Sequence, residues 1–302
     1  MHPLGPLLDP QLLHRLAGLG VGGRRVTVGA AGGMHRSPLK GASVEFRQRR
    51  PYAPGDEPRH IDWRVLARTD RAYVREFEDE TDLRATLFLD ASGSMAYGDA
   101  ASKLDYAARL AAALAFVLLS AGEAAGLVVS QDIGAPPAVP PSNAASQLSR
   151  FVEALTPLMP AGPTRLDVAV RNAAGRLGRR SLVLLISDFL LPPARLRDGL
   201  ARLAHGRHET LLVRVRHRDE IDFPFAGWTE FGGFEGEPMR RLDAAQARHT
   251  YQENRRRHDA QLAAVCDATR AALIDLTTDV PLYDAVLSVV RRNPGAREAA
   301  CS

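Results

Sequence analysis

Five oxygen-bearing side chains stand where they could share one ion. Asp90, Ser92 and Ser94 occur at alternate positions in "LFLDASGSMAYG" (residues 87–98). Thr164 opens a helix-like run in "AGPTRLDVAV", and Asp188 closes "VLLISD". Carboxylate and hydroxyl oxygens are hard donors. Magnesium wants near-octahedral oxygen ligation, keeps several waters, and usually takes one or two carboxylates. Zinc and copper would want His or Cys. The set therefore points to Mg²⁺, or to Mn²⁺ in its place. Each residue also has an ordinary reading, because Asp, Ser and Thr favour helix N-caps and turns. Taken singly, the ordinary reading prevails, and only joint placement argues for a site.

That placement depends on the elements around the five residues. From residue 83 onward, apolar runs alternate with amphipathic ones. The runs predict strands at 84–90, 125–131, 181–188, 209–216 and 271–279, and helices over 101–121, 144–157, 165–177, 193–204, 243–270 and 282–292. The Pro-rich stretch at 134–143 is confined to a sheet edge, because proline cannot donate to a central ladder. Short strands between 223 and 242 complete the pattern. The alternation predicts an α/β fold, a doubly wound and mostly parallel sheet covered on both faces. In such a sheet the strand C-termini share one edge, and ligands bind there. Asp90 and Asp188 would project from that edge if their strands are neighbours, with Thr164 on a loop beside them.

The residues before 83 read as an N-terminal extension. Residues 1–41 hold a short helix over 7–18 and a Gly-rich linker. "GLGVGG" there matches G-x-G-x-x-G at Gly18, Gly20 and Gly23, but it follows a helix and opens none, so it is not a dinucleotide fingerprint. Residues 42–82 are dense in charge of both signs, with a turn at 54–56, a helix over 61–67 and a strand over 72–77. This segment is expected to pack on the sheet domain. The sheet domain runs from 83 to 292, and 293–302 form a tail.

Composition narrows the function classes. Among the 302 residues 25% are charged, the net charge is +4 and the sequence pI is about 9.4. The basic clusters at 47–50 and 255–257 have acidic neighbours and read as solvated or salt-bridged faces, so no nucleic-acid partner is expected. Cys266 and Cys301 are the only cysteines, too few for a disulfide framework or a zinc site, which fits a reducing compartment. The first residues lack the basic and apolar regions of a signal peptide. The longest apolar stretch, 106–119, contains Arg109 and falls short of the ~20 residues that a membrane span needs. A cytoplasmic chain without membrane insertion is expected.

Two function classes compete, an enzyme and a binding protein. A Mg²⁺-dependent phosphohydrolase could use Asp90 as nucleophile, but that chemistry needs a second acid two residues on and a lysine for the phosphoryl charge. Position 92 is Ser, and Lys40 and Lys103, the only two lysines, lie outside the later motifs. There is no P-loop and no nucleophile elbow. His205 and His208, three apart at a helix-to-strand junction, read as surface residues. The expectation is a protein that is not an enzyme.

D-x-S-x-S at the end of a first strand, a distant Thr and an Asp ending a later strand resemble the metal-ion-dependent adhesion site of von Willebrand factor A domains, over about residues 83–292. Phe189 stands where those domains usually carry Gly. A narrower resemblance spans nearly the whole chain: "YAPGDEPRHIDWRVLARTDRAYVREFEDET" followed by "LDASGSM" resembles the bacterial family called domain of unknown function 58. That resemblance implies a von Willebrand A-like adaptor binding one divalent cation through Asp90, Ser92, Ser94, Thr164 and Asp188. It implies a MoxR-type AAA+ ATPase as partner, a client protein presenting an acidic residue, and a role in assembling or maturing another protein. Many members carry N-terminal membrane helices, and this chain reads as the short form without them.

Overall fold

The computed structural model describes residues 7–20, 44–51, 63–69, 73–79, 83–98, 101–132, 137–178, 180–234, 236 and 238–292. The chain forms two compact units, one of residues 32–82 and one of 1–31 with 83–302. In chain order the elements are α1 (Pro10–Gly20), β1 (Val44–Pro51), α2 (Trp63–Thr69), β2 (Tyr73–Asp79), β3 (Arg84–Asp90), α3 (Lys103–Ser120), β4 (Ala124–Ser130) and β5 (Ala138–Ser142). There follow α4 (Gln147–Leu155), α5 (Leu166–Ala174), β6 (Ser181–Ser187), α6 (Pro193–His205), β7 (Glu209–Arg216), α7 (Arg218–Asp222), β8 (Trp228–Phe231), β9 (Arg240–Asp243), α8 (Ala244–Thr269), β10 (Ala272–Thr277) and α9 (Leu282–Arg291).

The central sheet of the larger unit has the order β10-β7-β6-β3-β4-β5. Every neighbouring pair is parallel except β4 with β5. β5 carries Pro140 and Pro141 and lies at the edge, where the missing N–H breaks no central ladder. The fold is thus the expected doubly wound α/β arrangement. Successive side chains of a strand point to opposite faces, and the sheet needs two cores. Leu87 and Leu89 of β3 join one, with the apolar faces of α1, α3, α4 and α9. Phe88 joins the other, with α5, α6 and α8.

The order of connection creates the site. From β3 the chain crosses to β4 on one side, then returns through α4 and α5 to β6 on the other side of β3. The strand order therefore reverses between β3 and β6, and a crevice opens beyond their C-terminal ends.

The smaller unit contains the antiparallel pair of β1 and β2, from Val44 opposite Asp79 to Pro51 opposite Tyr73, with a one-residue shift in register between Phe46 and Gln48. β1 was not predicted, since "VEFRQRRP" reads locally as a charge cluster and its strand state depends on a distant partner. The Gly-rich segment 21–43, the turn at 54–56, the side chains of the acidic run 76–82 and the tail 293–302 lie outside the described residues. No helix among the described residues is long and apolar enough to cross a membrane.

Candidate functional site

Asp90 is the last residue of β3 and is fully buried. Its Oδ1 accepts the Ser92 main-chain N–H at 3.0 Å. Its Oδ2 accepts two hydroxyls, from Thr164 at 2.9 Å and from Ser187 at 2.6 Å. Ser92 Oγ and Ser94 Oγ lie 3.2 Å apart. The structure thus brings four of the five predicted residues into one hydrogen-bonded group or directly beside it.

Main-chain contacts explain why these loops meet. Gly93 N–H donates to Gly162 O at 2.8 Å, and Ala161 N–H donates to Ala91 O at 3.0 Å. These two bonds fasten the Thr164 loop to the loop after β3. Gly162 has φ +68°, a left-handed conformation that glycine takes without steric cost. Gly98 ends the same loop at φ +136°, where an added Cβ would sit 2.4 Å from Ala101 O. The residues between form a one-turn 3₁₀ helix, Gly93–Ala96, that buries Met95. Tyr97 then donates its hydroxyl to Asp219 of α7 at 2.9 Å.

Asp188, the fifth residue, follows β6 and is buried, but its Oδ2 is engaged by Lys103 Nζ at 2.7 Å. Lys103 is the first residue of α3, is fully buried, and also meets Glu220 Oε1 of α7 at 2.7 Å. Asp188, which the sequence placed in the metal set, is thus paired with Lys103 in the structure. It already has a built-in cation. Burial works against the Lys103 ammonium, yet the two carboxylates outweigh it and hold the lysine above its ordinary pKa. Phe189 keeps the left-handed conformation expected of glycine at that point, with φ 54°. Its N–H donates to Ser187 Oγ at 2.9 Å, and its ring is buried among α5, α6 and α8. Burial of the ring offsets the ~1–2 kcal/mol that a non-glycine residue spends in this conformation.

The electrostatics leave one charge without a partner. Burial pushes the Asp90 carboxyl up to about 6, and the Asp188 charge adds to the push; the three hydrogen bonds act the other way. Among the described residues no basic group forms an ion pair with Asp90. The Lys103 ammonium is shared by Asp188 and Glu220 and does not pair with Asp90, so a cation beside Asp90 would meet a charge that no basic group among the described residues balances. Ser130 stands opposite Asp90 in the β3–β4 register, and its buried hydroxyl has no hydrogen-bond partner among the described residues. An oxygen-only donor set, an uncompensated buried carboxylate and an orphaned hydroxyl all fit a hard cation held by Asp90, Ser92, Ser94 and Thr164. Among the described residues no cluster of three or more His, Cys, Asp or Glu is placed to hold a metal, so such a site depends on its hydroxyls.

Sequence reasoning missed Lys103, Ser187, Glu220 and Ser130. A signal existed for the first two. A lysine at the start of a helix sits at the positive end of the helix dipole, so Lys103 needs a negative neighbour. Strand periodicity puts Ser187 on the same sheet face as Val183 and Leu185, the face that Asp90 shares with Phe88. The run at 255–258 also differs from the solvated face expected. Arg255 Nη1 donates to the main-chain oxygens of Glu220 and Ile221, and His258 Nε2 lies 2.8 Å from Phe189 O. Packing of α8 against β10 and α6 turns that part of the run inward. His208 is half-buried and bonded through Nδ1 to the Ser181 N–H, while His205 is exposed.

Residues 48–261 match the family described as protein of unknown function DUF58. Uncharacterized proteins of Mycobacterium bovis and Mycobacterium tuberculosis are each 30% identical over 299 residues, which is 97% of this chain and 93% of theirs. Among solved structures, the conserved hypothetical protein BatB from Bacteroides thetaiotaomicron aligns over 73% of this chain and 100% of its own, at 14% identity and a TM-score of 0.47.

Proposed function

The chain belongs to the DUF58 family, and from that premise we propose that it is a metal-dependent protein-binding adaptor and not an enzyme. The observation that carries this reading is Asp90, a buried carboxylate with no cationic partner among the described residues, ringed by hydroxyls at the reversal point of a parallel sheet. Asp90, Ser92, Ser94 and Thr164 would hold the ion, Mg²⁺ or Mn²⁺, and Asp188 would act beside it through its pair with Lys103. When bound, the ion would supply positive charge and an open position for an anionic oxygen. The chain's own residues do the rest. The hydroxyls of Thr164 and Ser187 fix the orientation of Asp90, and the tether from Tyr97 to Asp219 holds the ligand loop against α7.

The partners in this reading are a MoxR-type AAA+ ATPase and a client protein presenting an Asp or Glu, in assembly or maturation of another protein. They rest on the family resemblance, and a cytoplasmic location belongs to the same proposal. The test is co-purification. The tagged full chain and an ATPase of that type are mixed in Mg²⁺ and in EDTA, and again with Asp90→Ala. Retention that needs Mg²⁺ and Asp90 supports the reading. Equal retention in all three overturns it.

The phosphohydrolase alternative gains one observation, since Lys103 does reach Asp188. The ammonium, however, is fully buried and already shared by two carboxylates at 2.7 Å. Position 92 offers a hydroxyl and no acid for a leaving group. The adaptor reading is therefore preferred.

A further inference from the structure

Lys103 stands where a cation is least expected. It is the first residue of α3 and fully buried, at the positive end of that helix dipole. Two carboxylates hold it there, Asp188 through Oδ2 and Glu220 through Oε1, each 2.7 Å from Nζ. Each carboxylate is also fixed by a main-chain donor. Asp188 Oδ1 accepts the Leu190 N–H at 3.2 Å, and Glu220 Oε2 accepts the His217 N–H at 2.7 Å. Replacing a buried ion pair by apolar side chains of the same size often costs no stability, so stability alone does not account for this lysine. Its place points to another use. Ser187, the residue before Asp188, donates its hydroxyl to Asp90, and the Asp188 charge works against ionisation of the Asp90 carboxyl. Asp188 is thus an immediate neighbour of the hydroxyl-ringed centre, and Lys103 is what occupies it.

We propose that Lys103 sets the ion affinity of the centre by holding Asp188 away from the ion, so that a divalent cation is bound through one carboxylate and not two. The inference rests on the metal-dependent reading and adds the residue that tunes it. Mg²⁺ takes one or two carboxylates, and the affinity of an oxygen site for a divalent cation rises with the number of its charged ligands. The ammonium at 2.7 Å already satisfies the Asp188 oxygen that a second charged ligand would offer. Glu220 shares that ammonium and keeps it in place from the side of α7. Without the ammonium, Asp188 would be a buried charge with no cation beside it among the described residues, and a divalent cation at Asp90 would balance both carboxylates. The consequence for binding follows from charge. An ion held by one carboxylate and neutral hydroxyls keeps a net positive charge. It attracts an anionic oxygen of a partner more strongly than an ion already neutralised by two carboxylates would.

The test is a double-mutant cycle read by Mg²⁺ calorimetry on the full chain: the parent, Lys103→Met, Asp188→Asn and the two together, each checked for native circular dichroism. Lys103→Met should bind Mg²⁺ about tenfold more tightly than the parent, although it is the less stable protein. Asp188→Asn should cost about tenfold more affinity in the Lys103→Met background than in the parent, because only there is Asp188 a ligand. Lys103→Gln, whose amide still donates to a carboxylate, is read in the same way if Lys103→Met does not fold. Affinity unchanged or weakened by loss of the lysine would overturn the inference and leave Lys103 a purely structural group. An equal cost of Asp188→Asn in both backgrounds would also overturn it, since charge acting through space would then account for the gain. Mg²⁺ uptake by neither the parent nor the lysine variants would overturn the metal-dependent reading itself. Uptake by the parent with no gain in the variants overturns only the role of Lys103.

Discussion

Removing the charge of Asp90 should change how stability depends on pH. The folded state raises this carboxyl from 3.8 to about 6, chiefly through burial. A raised value means that the folded chain holds the proton more tightly than the unfolded chain. Below the unfolded value both states are protonated, and the stabilising contribution is fully present. As pH rises through about 6 the folded carboxyl ionises and the contribution is lost. A shift of this size corresponds to about 3 kcal/mol. In EDTA the parent protein should therefore lose roughly that much stability between pH 4 and pH 7 from this group. Asp90→Asn cannot ionise and should lack that slope. The amide also loses an acceptor for the Ser92, Thr164 and Ser187 donors, which shifts its stability at every pH by about 1–2 kcal/mol. The slope, and not the absolute level, is thus what the assay reads. Urea unfolding at half-unit steps from pH 4 to 7.5, on both proteins in EDTA, gives the comparison. Saturating Mg²⁺ should reverse the parent's slope, because an ion favours the ionised carboxylate. Identical slopes for parent and variant in EDTA would refute the claim that Asp90 is a buried charge without a counterion.

Lys103→Met leaves Asp188 and Glu220 without their ammonium, and breaking a buried pair typically destabilises by about 3–5 kcal/mol. Urea unfolding in EDTA should show a loss of that order, and a loss below ~1 kcal/mol would contradict the structural role given to Lys103. Ser187→Ala removes the shortest hydrogen bond that orients Asp90 and should weaken Mg²⁺ uptake roughly 10–100-fold, as loss of an outer partner of a ligand commonly does. Unchanged affinity by calorimetry would show that Asp90 needs no such support. With Mg²⁺ present, the purified chain should not hydrolyse p-nitrophenyl phosphate or ATP above background; turnover that disappears in Asp90→Asn would favour the phosphohydrolase.

The parts of the fold that were legible in the sequence are those whose cause is local. The β3 and β6 runs are largely apolar up to Leu89 and Ile186 and give way to Asp90 and Asp188, and that pattern placed two carboxylates at one sheet edge. The prolines of β5 marked an edge strand. β1 was hidden because nothing local favours it; its strand state rests on pairing with β2 across the sequence. The same division runs through the site. Asp90, Ser92 and Ser94 share one loop and could be read together. Thr164 could be placed because it lies in the loop between a Gly-Pro turn and the start of α5. The partners of Lys103 were not legible, because Asp188 and Glu220 are 85 and 117 residues away and no local pattern brings α3, β6 and α7 to one point. The substitution of Gly by Phe189 is a similar case. Phe189 holds a left-handed backbone where Gly is usual, because its ring finds a core that the local sequence does not reveal.

The central claim, that Asp90 anchors a divalent cation, is tested most directly by titrating Mg²⁺, and separately Mn²⁺, into the metal-free full chain by calorimetry, with Asp90→Ala as the comparison. One ion per chain should bind the parent, and none should bind the variant while its far-ultraviolet circular dichroism stays native. A parent that takes up no ion, or a folded Asp90→Ala that binds with unchanged affinity, would contradict the account.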